Sequence, residues 1–204
     1  IVKRAVEVCK ASKRAFDPTF FALGIDFKDG VASIPDEDEI ARRLKRVDCN
    51  EVMIGPKTCQ VSFELEGMKL GLGGIAKGFI VDEAAQNLKN NGIKDFIVNA
   101  GGDMIVSGAK GDNPWRIGIE NPLKPNQTFA VLEPKGRAIA TSGNYRRFGE
   151  KKGKAWGHII DPRTGRAATQ SLSATACAND LTTADAWATA LFVLGTEGVE
   201  LAET

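Results

Sequence analysis

The sequence is poor in the groups that mark the commonest function classes. Its 204 residues contain one histidine and one tyrosine. The four cysteines, Cys9, Cys49, Cys59 and Cys177, form no CxxC pair and have no histidine near them, so a zinc centre is not expected and the redox compartment stays open. An excess of either charge is also missing: 27 basic against 26 acidic residues leave a formal charge of +1. That balance gives no electrostatic footing for nucleic acid or for a polybasic membrane anchor. No apolar run approaches the ~20 residues needed to span a bilayer. No charged-then-apolar leader opens the chain either; Ile1 to Lys13 reads as the middle of an amphipathic helix with Val2, Val6 and Cys9 on one side. The expectation is that the natural start lies upstream, where a signal sequence would have stood.

What is present describes a globular chain. With 43% hydrophobic, 26% charged and 22 glycine residues it can build one sizeable core or two small ones. No solenoid repeat or low-complexity linker divides it. After the first helix, Asp17-Pro18 breaks the pattern. A second helix is expected from the Pro35-Asp36-Glu37 region to about Val47, acids first and arginines last, in accord with the helix dipole. Short strands follow at Val52–Ile54, Val61–Leu65 and Lys69–Leu72, read as a meander. A helix over Ala76 to Asn91 carries Ile80, Ala84 and Leu88 on one face and stops at Gly92. Asp95–Asn99 reads as a buried strand completing a strand–helix–strand unit, with Gly101-Gly102-Asp103 at its carboxyl end, either at the edge where α/β sheets favour ligands or as an ordinary Gly-Gly turn. Further strands at Met104–Val106, Trp115–Ile119, Phe129–Leu132 and Ala138–Ala140 make the middle mostly antiparallel.

The chain is organised around Leu70 to Asp82, a glycine-rich turn opening a helix. Gly73-Gly74 lets the backbone bend and a ligand approach closely, the helix start offers N–H donors and partial positive charge, and Lys77 adds a cation in the first turn. An anion site and a plain strand-to-helix turn both fit. A Walker loop does not, because Gly78 follows the lysine. Gly71-x-Gly73-x-x-Ala76 meets the loose dinucleotide fingerprint, but no acid follows to hold a ribose.

Three other places carry chemistry. Thr141 to Tyr145 reads as a turn with two hydroxyls, one of them Ser142, suited to phosphate or ring atoms but common as a plain turn. His158, beside an Asp161-Pro162 turn, is either a base near neutral pH or a structural donor. In the last helix, Asp185 and Thr189 share one face. They form a partial shell for a hard cation such as Mg²⁺, or else Thr182-x-x-Asp185 is a capping box.

Taken in order, GLGGIAKGFIVD, NAGGDMIVSG, WRIGI, ATSGNYRRF, GHIIDPRTG and TADAWATALFVLG resemble the FAD:protein FMN transferases of the ApbE type, over nearly the whole chain. The resemblance implies an α/β fold with a large mixed, mostly antiparallel sheet flanked by helices (ApbE-like, or T-fold-like), in one domain over residues 1–204 that is cut short at both ends. It implies Mg²⁺-dependent cleavage of FAD at its pyrophosphate, attachment of FMN to a Thr or Ser of an exported flavoprotein, and release of AMP. Asp185, Thr189 and the backbone oxygen of Ala76 then hold the metal. Gly74, Lys77, Gly101, Gly102, Asp103, Ser142 and Ile159 line the FAD pocket, and His158 takes the proton from the acceptor hydroxyl. Location in the periplasm or on the outer face of the cell membrane, with a lipid anchor upstream, is implied in the same way.

Two positions depart from the family pattern: Gly71 stands where an Asp is usual, and Phe20 to Gly30 lacks the usual Leu-Trp stretch that lines the flavin. The alternatives are therefore an FAD pyrophosphatase giving FMN and AMP, a flavin-binding protein without turnover, and a Rossmann oxidoreductase that needs no metal.

Overall fold

The structure is a computed structural model that describes residues 1–28, 31–56, 59–144, 148–151 and 154–203. It opens with helix α1 (Val2–Ala11), a 3-10 turn over Pro18–Leu23, strands β1 (Asp26–Lys28) and β2 (Val31–Ser33), and helix α2 (Glu37–Leu44). A second 3-10 turn, Cys49–Glu51, leads to β3 (Val52–Ile54), β4 (Val61–Phe63) and helix α3 (Ala76–Asn90). Six strands follow: β5 (Phe96–Ala100), β6 (Asp103–Ser107), β7 (Ile117–Glu120), β8 (Thr128–Leu132), β9 (Ala138–Gly143) and β10 (Phe148–Lys151). Four more are β11 (Lys154–Gly157), β12 (Ile160–Asp161), β13 (Arg166–Ala167) and β14 (Ser173–Ala178). Helices α4 (Leu181–Leu194) and α5 (Gly198–Ala202) close the chain.

The central sheet runs β14-β9-β6-β5 and is antiparallel throughout. A second sheet, β1-β2-β10-β11, contains the parallel pair β2 and β10. The remaining strands form hairpin-like pairs.

Helix α4 is mostly buried, as expected of a helix whose residues are mostly apolar. One face, Leu181, Ala184 and Ala188, packs with Val81 and Ala85 of α3 on Phe96, Ile105, Ala138, Ala140 and Ala176 of the central sheet. The other face, Ala186, Ala190, Phe192 and Val193, meets Ala5, Val8, Phe16, Ile75 and Ile159. The many alanines let both neighbours come close.

Several expectations change here. Lys69–Leu72 is no strand; Gly71 N–H donates to Pro18 O (2.8 Å), which ties the segment to the first 3-10 turn instead of a hairpin partner. The strand–helix–strand unit does not form: among the described residues β4 pairs only with β3, and β5 is an edge strand antiparallel to β6. Helix α3 buries Gly78, Val81 and Ala85, while Ile80 is 66% exposed and Ala84 faces outward. The crossing with α4 sets that rotation. A Cβ at Gly78 would overlap the carbonyl of Leu181 and lie 2.8 Å from Thr182 N, so only glycine lets the two backbones meet. Gly78→Ala should cost about 3 kcal/mol, read as a lower denaturant midpoint.

Candidate functional site

The first turns of α3 and α4 abut, and each helix gives the other a carboxylate. Asp185, on α4, accepts the Gly78 N–H of α3 at Oδ2 (3.0 Å). Asp82, on α3, accepts Leu181 N–H at Oδ1 (2.8 Å) and, at Oδ2, Thr182 N–H (2.8 Å) and the Thr182 hydroxyl (2.6 Å). The cap of α4 is Asp180, which accepts Thr183 N–H (2.7 Å). The capping-box reading of Thr182-x-x-Asp185 is thereby corrected: Asp185 turns away from its own helix end toward α3.

Around Asp185 the sheet contributes two more groups. Asp103, first residue of β6 and almost fully buried, is ion-paired with Lys77 and accepts Thr141 N–H at Oδ1 (3.0 Å). Ser142 on β9 bonds Thr189 across to α4 (Oγ–Oγ1 3.2 Å), and the Thr189 hydroxyl also reaches the Asp185 carbonyl (3.4 Å). Thr141 and Ser142 lie within β9, not in a turn, because β9 runs on to Gly143 against β14. Tyr145 lies outside the described residues. Gly74, in the loop before α3, comes so close that a Cβ there would sit 3.5 Å from Thr189 Oγ1. Ala76 is the first residue of α3.

The Gly101-Gly102 turn joins β5 to β6, with φ of 67° and 107° that favour glycine, and Asn99 Oδ1 accepts Gly102 N–H (2.9 Å). Its place directly before Asp103 brings it to the same cluster.

His158 lies between β11 and β12. Its neighbour Ile159 is 7% exposed, packed with Ile75, the residue that precedes α3, and with Ala186 and Ala190 of α4. The Ile159 amide donates to Asn144 Oδ1 (3.4 Å) and its carbonyl accepts from Ala168 N–H (2.9 Å). Ile159 thus serves as an inward anchor for the His158 segment.

Electrostatics make the cluster short of positive charge. Burial raises the Asp185 carboxyl from 3.8 to about 6, and the negative charge of Asp103 adds to this against the Gly78 N–H and the Lys77 ammonium, which pull the other way. Asp185 Oδ1 takes no hydrogen bond among the described residues. A partly uncompensated carboxylate among hydroxyls is the donor chemistry of a hard divalent cation, so the residues fit Mg²⁺.

Both departures from the family pattern meet beside this loop. A Cβ at Gly71 would lie 3.1 Å from Phe21 Cβ, so the Phe21 ring, half exposed and edge-on to Phe20, occupies the space an Asp side chain would take. Residues that sequence reasoning passed over include Gly78 and Asp82. Their spacing of four placed them on one face of α3, and that was the available signal.

The model of the ApbE family matches residues 1–204. The chain belongs to the ApbE family. It is 36% identical over 167 residues to a FAD:protein FMN transferase of Klebsiella pneumoniae, covering 81% of this chain and 51% of that protein. It is 33% identical over 213 residues to one of Vibrio cholerae, covering 100% and 63%. The ApbE protein of Thermotoga maritima superposes with a TM-score of 0.87 at 35% identity, over 98% of this chain and 66% of that one. The flavin transferase ApbE of Vibrio cholerae superposes at 0.82 and 31% identity, over 99% and 66%. The chain therefore spans about half to two thirds of the length of these ApbE relatives. The mixed α/β architecture, with antiparallel sheet flanked by helices, is that of the ApbE neighbours.

Proposed function

We propose that this ApbE chain cleaves FAD and transfers FMN, through a phosphoester, to a Thr or Ser hydroxyl of a partner protein, releasing AMP. The observation that carries the reading is the Asp185, Asp103, Lys77, Ser142 and Thr189 cluster at the abutting starts of α3 and α4. Asp185, Thr189 and the Ala76 carbonyl hold Mg²⁺, whose charge offsets that of the pyrophosphate. Lys77 and the glycine loop before it position the phosphates, with Gly101-Gly102 leaving room for the nucleotide beside them. His158 takes the proton as the acceptor oxygen attacks the flavin-side phosphorus; that P–O bond forms, the pyrophosphate P–O bond breaks, and AMP departs. The relatives' names, FAD:protein FMN transferase and flavin transferase ApbE, support this reading.

A Cys9–Cys49 disulfide supports placing the protein outside the reducing cytoplasm, in the periplasm or on the outer face of the cell membrane.

The test is to mix the chain with FAD, Mg²⁺ and a Thr-containing acceptor peptide and weigh the peptide. A gain of one FMN phosphoryl unit, reduced about 10²–10⁴-fold in rate by His158→Ala, is the expected result. Free FMN with an unchanged peptide would instead indicate a pyrophosphatase, and no AMP at all a binding protein.

A further inference from the structure

The reciprocal pairing of α3 and α4 has a second half that the transfer chemistry does not use. Gly78 and Asp82 stand four apart on α3, and Leu181 and Asp185 stand four apart on α4, so each pair shares one face of its helix. At one end of the contact Gly78 N–H holds the Asp185 carboxylate; at the other, the Asp82 carboxylate holds the amides of Leu181 and Thr182 and the Thr182 hydroxyl. The Asp82 bonds, at 2.6 to 2.8 Å, are the shorter and more numerous.

Three orphan donors at the start of α4 are thereby filled: Asp82 takes Leu181 and Thr182, and the Asp180 side chain takes Thr183, while Ala184 makes the first bond inside the helix to the Asp180 carbonyl (3.2 Å). These three amides are not left for phosphate, and what Asp82 grips there is position.

We propose that Asp82 is a positioning residue for the cation site: it fixes the crossing at which Asp185 turns one oxygen to Gly78 and leaves the other for the metal. The inference rests on the proposed Mg²⁺ site, and its test reads metal binding apart from turnover. An ordinary structural cap is available as the control, because Asp180 stabilises the same helix end without touching α3 among the bonds described. Asp82→Asn keeps the shape but turns one acceptor into a donor that cannot face an amide N–H.

Titrating the FAD-free protein with Mn²⁺ by calorimetry should show an affinity at least about tenfold lower in Asp82→Asn, the usual scale for a group that orients a metal ligand. Asp180→Ala should leave the affinity within about twofold while costing about 1 kcal/mol of stability. The Mg²⁺ concentration for half-maximal FAD cleavage should rise by the same factor as the Mn²⁺ dissociation constant, with KM for FAD at saturating Mg²⁺ unchanged. Thr182→Val, which removes only the 2.6 Å hydroxyl bond, should weaken Mn²⁺ binding less than Asp82→Asn and supplies the measurement should Asp82→Asn fail to fold. The proposal is overturned by wild-type Mn²⁺ affinity in Asp82→Asn (or, failing its folding, in Thr182→Val), by an equal loss in Asp180→Ala, or by a wild-type chain that binds no Mn²⁺. A wild type that binds Mn²⁺ but leaves FAD intact would instead remove the transferase reading and leave the Asp82 comparison standing.

Discussion

Asp185→Asn is expected to make the metal-free protein more stable and the enzyme nearly inactive. The carboxyl is held at about 6 in the folded chain against 3.8 in its ordinary state, mainly by burial and next by Asp103. The sign follows from proton counting. Between the two values the folded state binds the proton that the unfolded state has released, so stability falls as pH rises from about 4 to about 6 and stays low above that. Asparagine keeps an oxygen for the Gly78 N–H and has no charge to bury. Its advantage over the wild type should be absent near pH 4 and grow to roughly 3 kcal/mol by pH 7, read from denaturation curves at each pH in a chelator. Mg²⁺ should raise wild-type stability and leave the variant unmoved. FAD cleavage should fall by about 10²–10³-fold or more, the scale of losing one preorganised charge at a phosphoryl site. A variant equal to wild type in stability from pH 4 to 8 would remove the claim that this carboxylate is buried at a cost.

That combination explains why the site was only partly legible in the sequence. Asp185 and Thr189 could be paired from helical spacing alone, and the glycine turn announced α3. What the chain could not show by itself was which way Asp185 points. Thr182-x-x-Asp185 satisfies a local capping rule, and the rule lost because Asp180 and Asp82 already fill the donors of α4. Both are contacts that depend on how α4 is started and what crosses it. The Ile80, Ala84 and Leu88 face of α3 failed in part for the same reason: Leu88 does pack on the core, but Ile80 and Ala84 face outward, because the buried side is rotated to Gly78, Val81 and Ala85, where a glycine and a carboxylate bond to α4. Strands were found where alternation and turn residues agreed, as at Val52–Ile54 and in the central β6 and β9. Lys69–Leu72 alternates too, but its Gly71 N–H is taken by Pro18 O, a partner some fifty residues away in the chain.

The second large effect is expected at the far side of the same loop. Cys9 of α1 and Cys49 of the second 3-10 turn are both fully buried and joined by a disulfide across a separation of 40 residues. Closing a loop of that size restricts the unfolded chain by about 4 kcal/mol on the chain-entropy account. The bond also sits against a buried polar knot. Asp17 accepts Cys49 N–H (3.2 Å) and both the amide and hydroxyl of Thr19 (2.9 and 2.6 Å), while Arg14 reaches Asp17, Asp48 and the Val47 carbonyl. The next residue, Pro18, receives the Gly71 N–H at the head of the glycine loop. The Cys9→Ser/Cys49→Ser protein should therefore melt about 10 °C below wild type, and wild type in excess reductant should fall to the same temperature. The free thiols Cys59 and Cys177 are both exposed, so replacing them should change neither value by more than about 0.5 kcal/mol. Because the knot connects the disulfide to the loop that precedes α3, the double serine protein should also need more FAD for half-maximal cleavage. A reduced protein that melts with the oxidised one would show that the core of α1 and α4 holds this end of the chain without the cross-link.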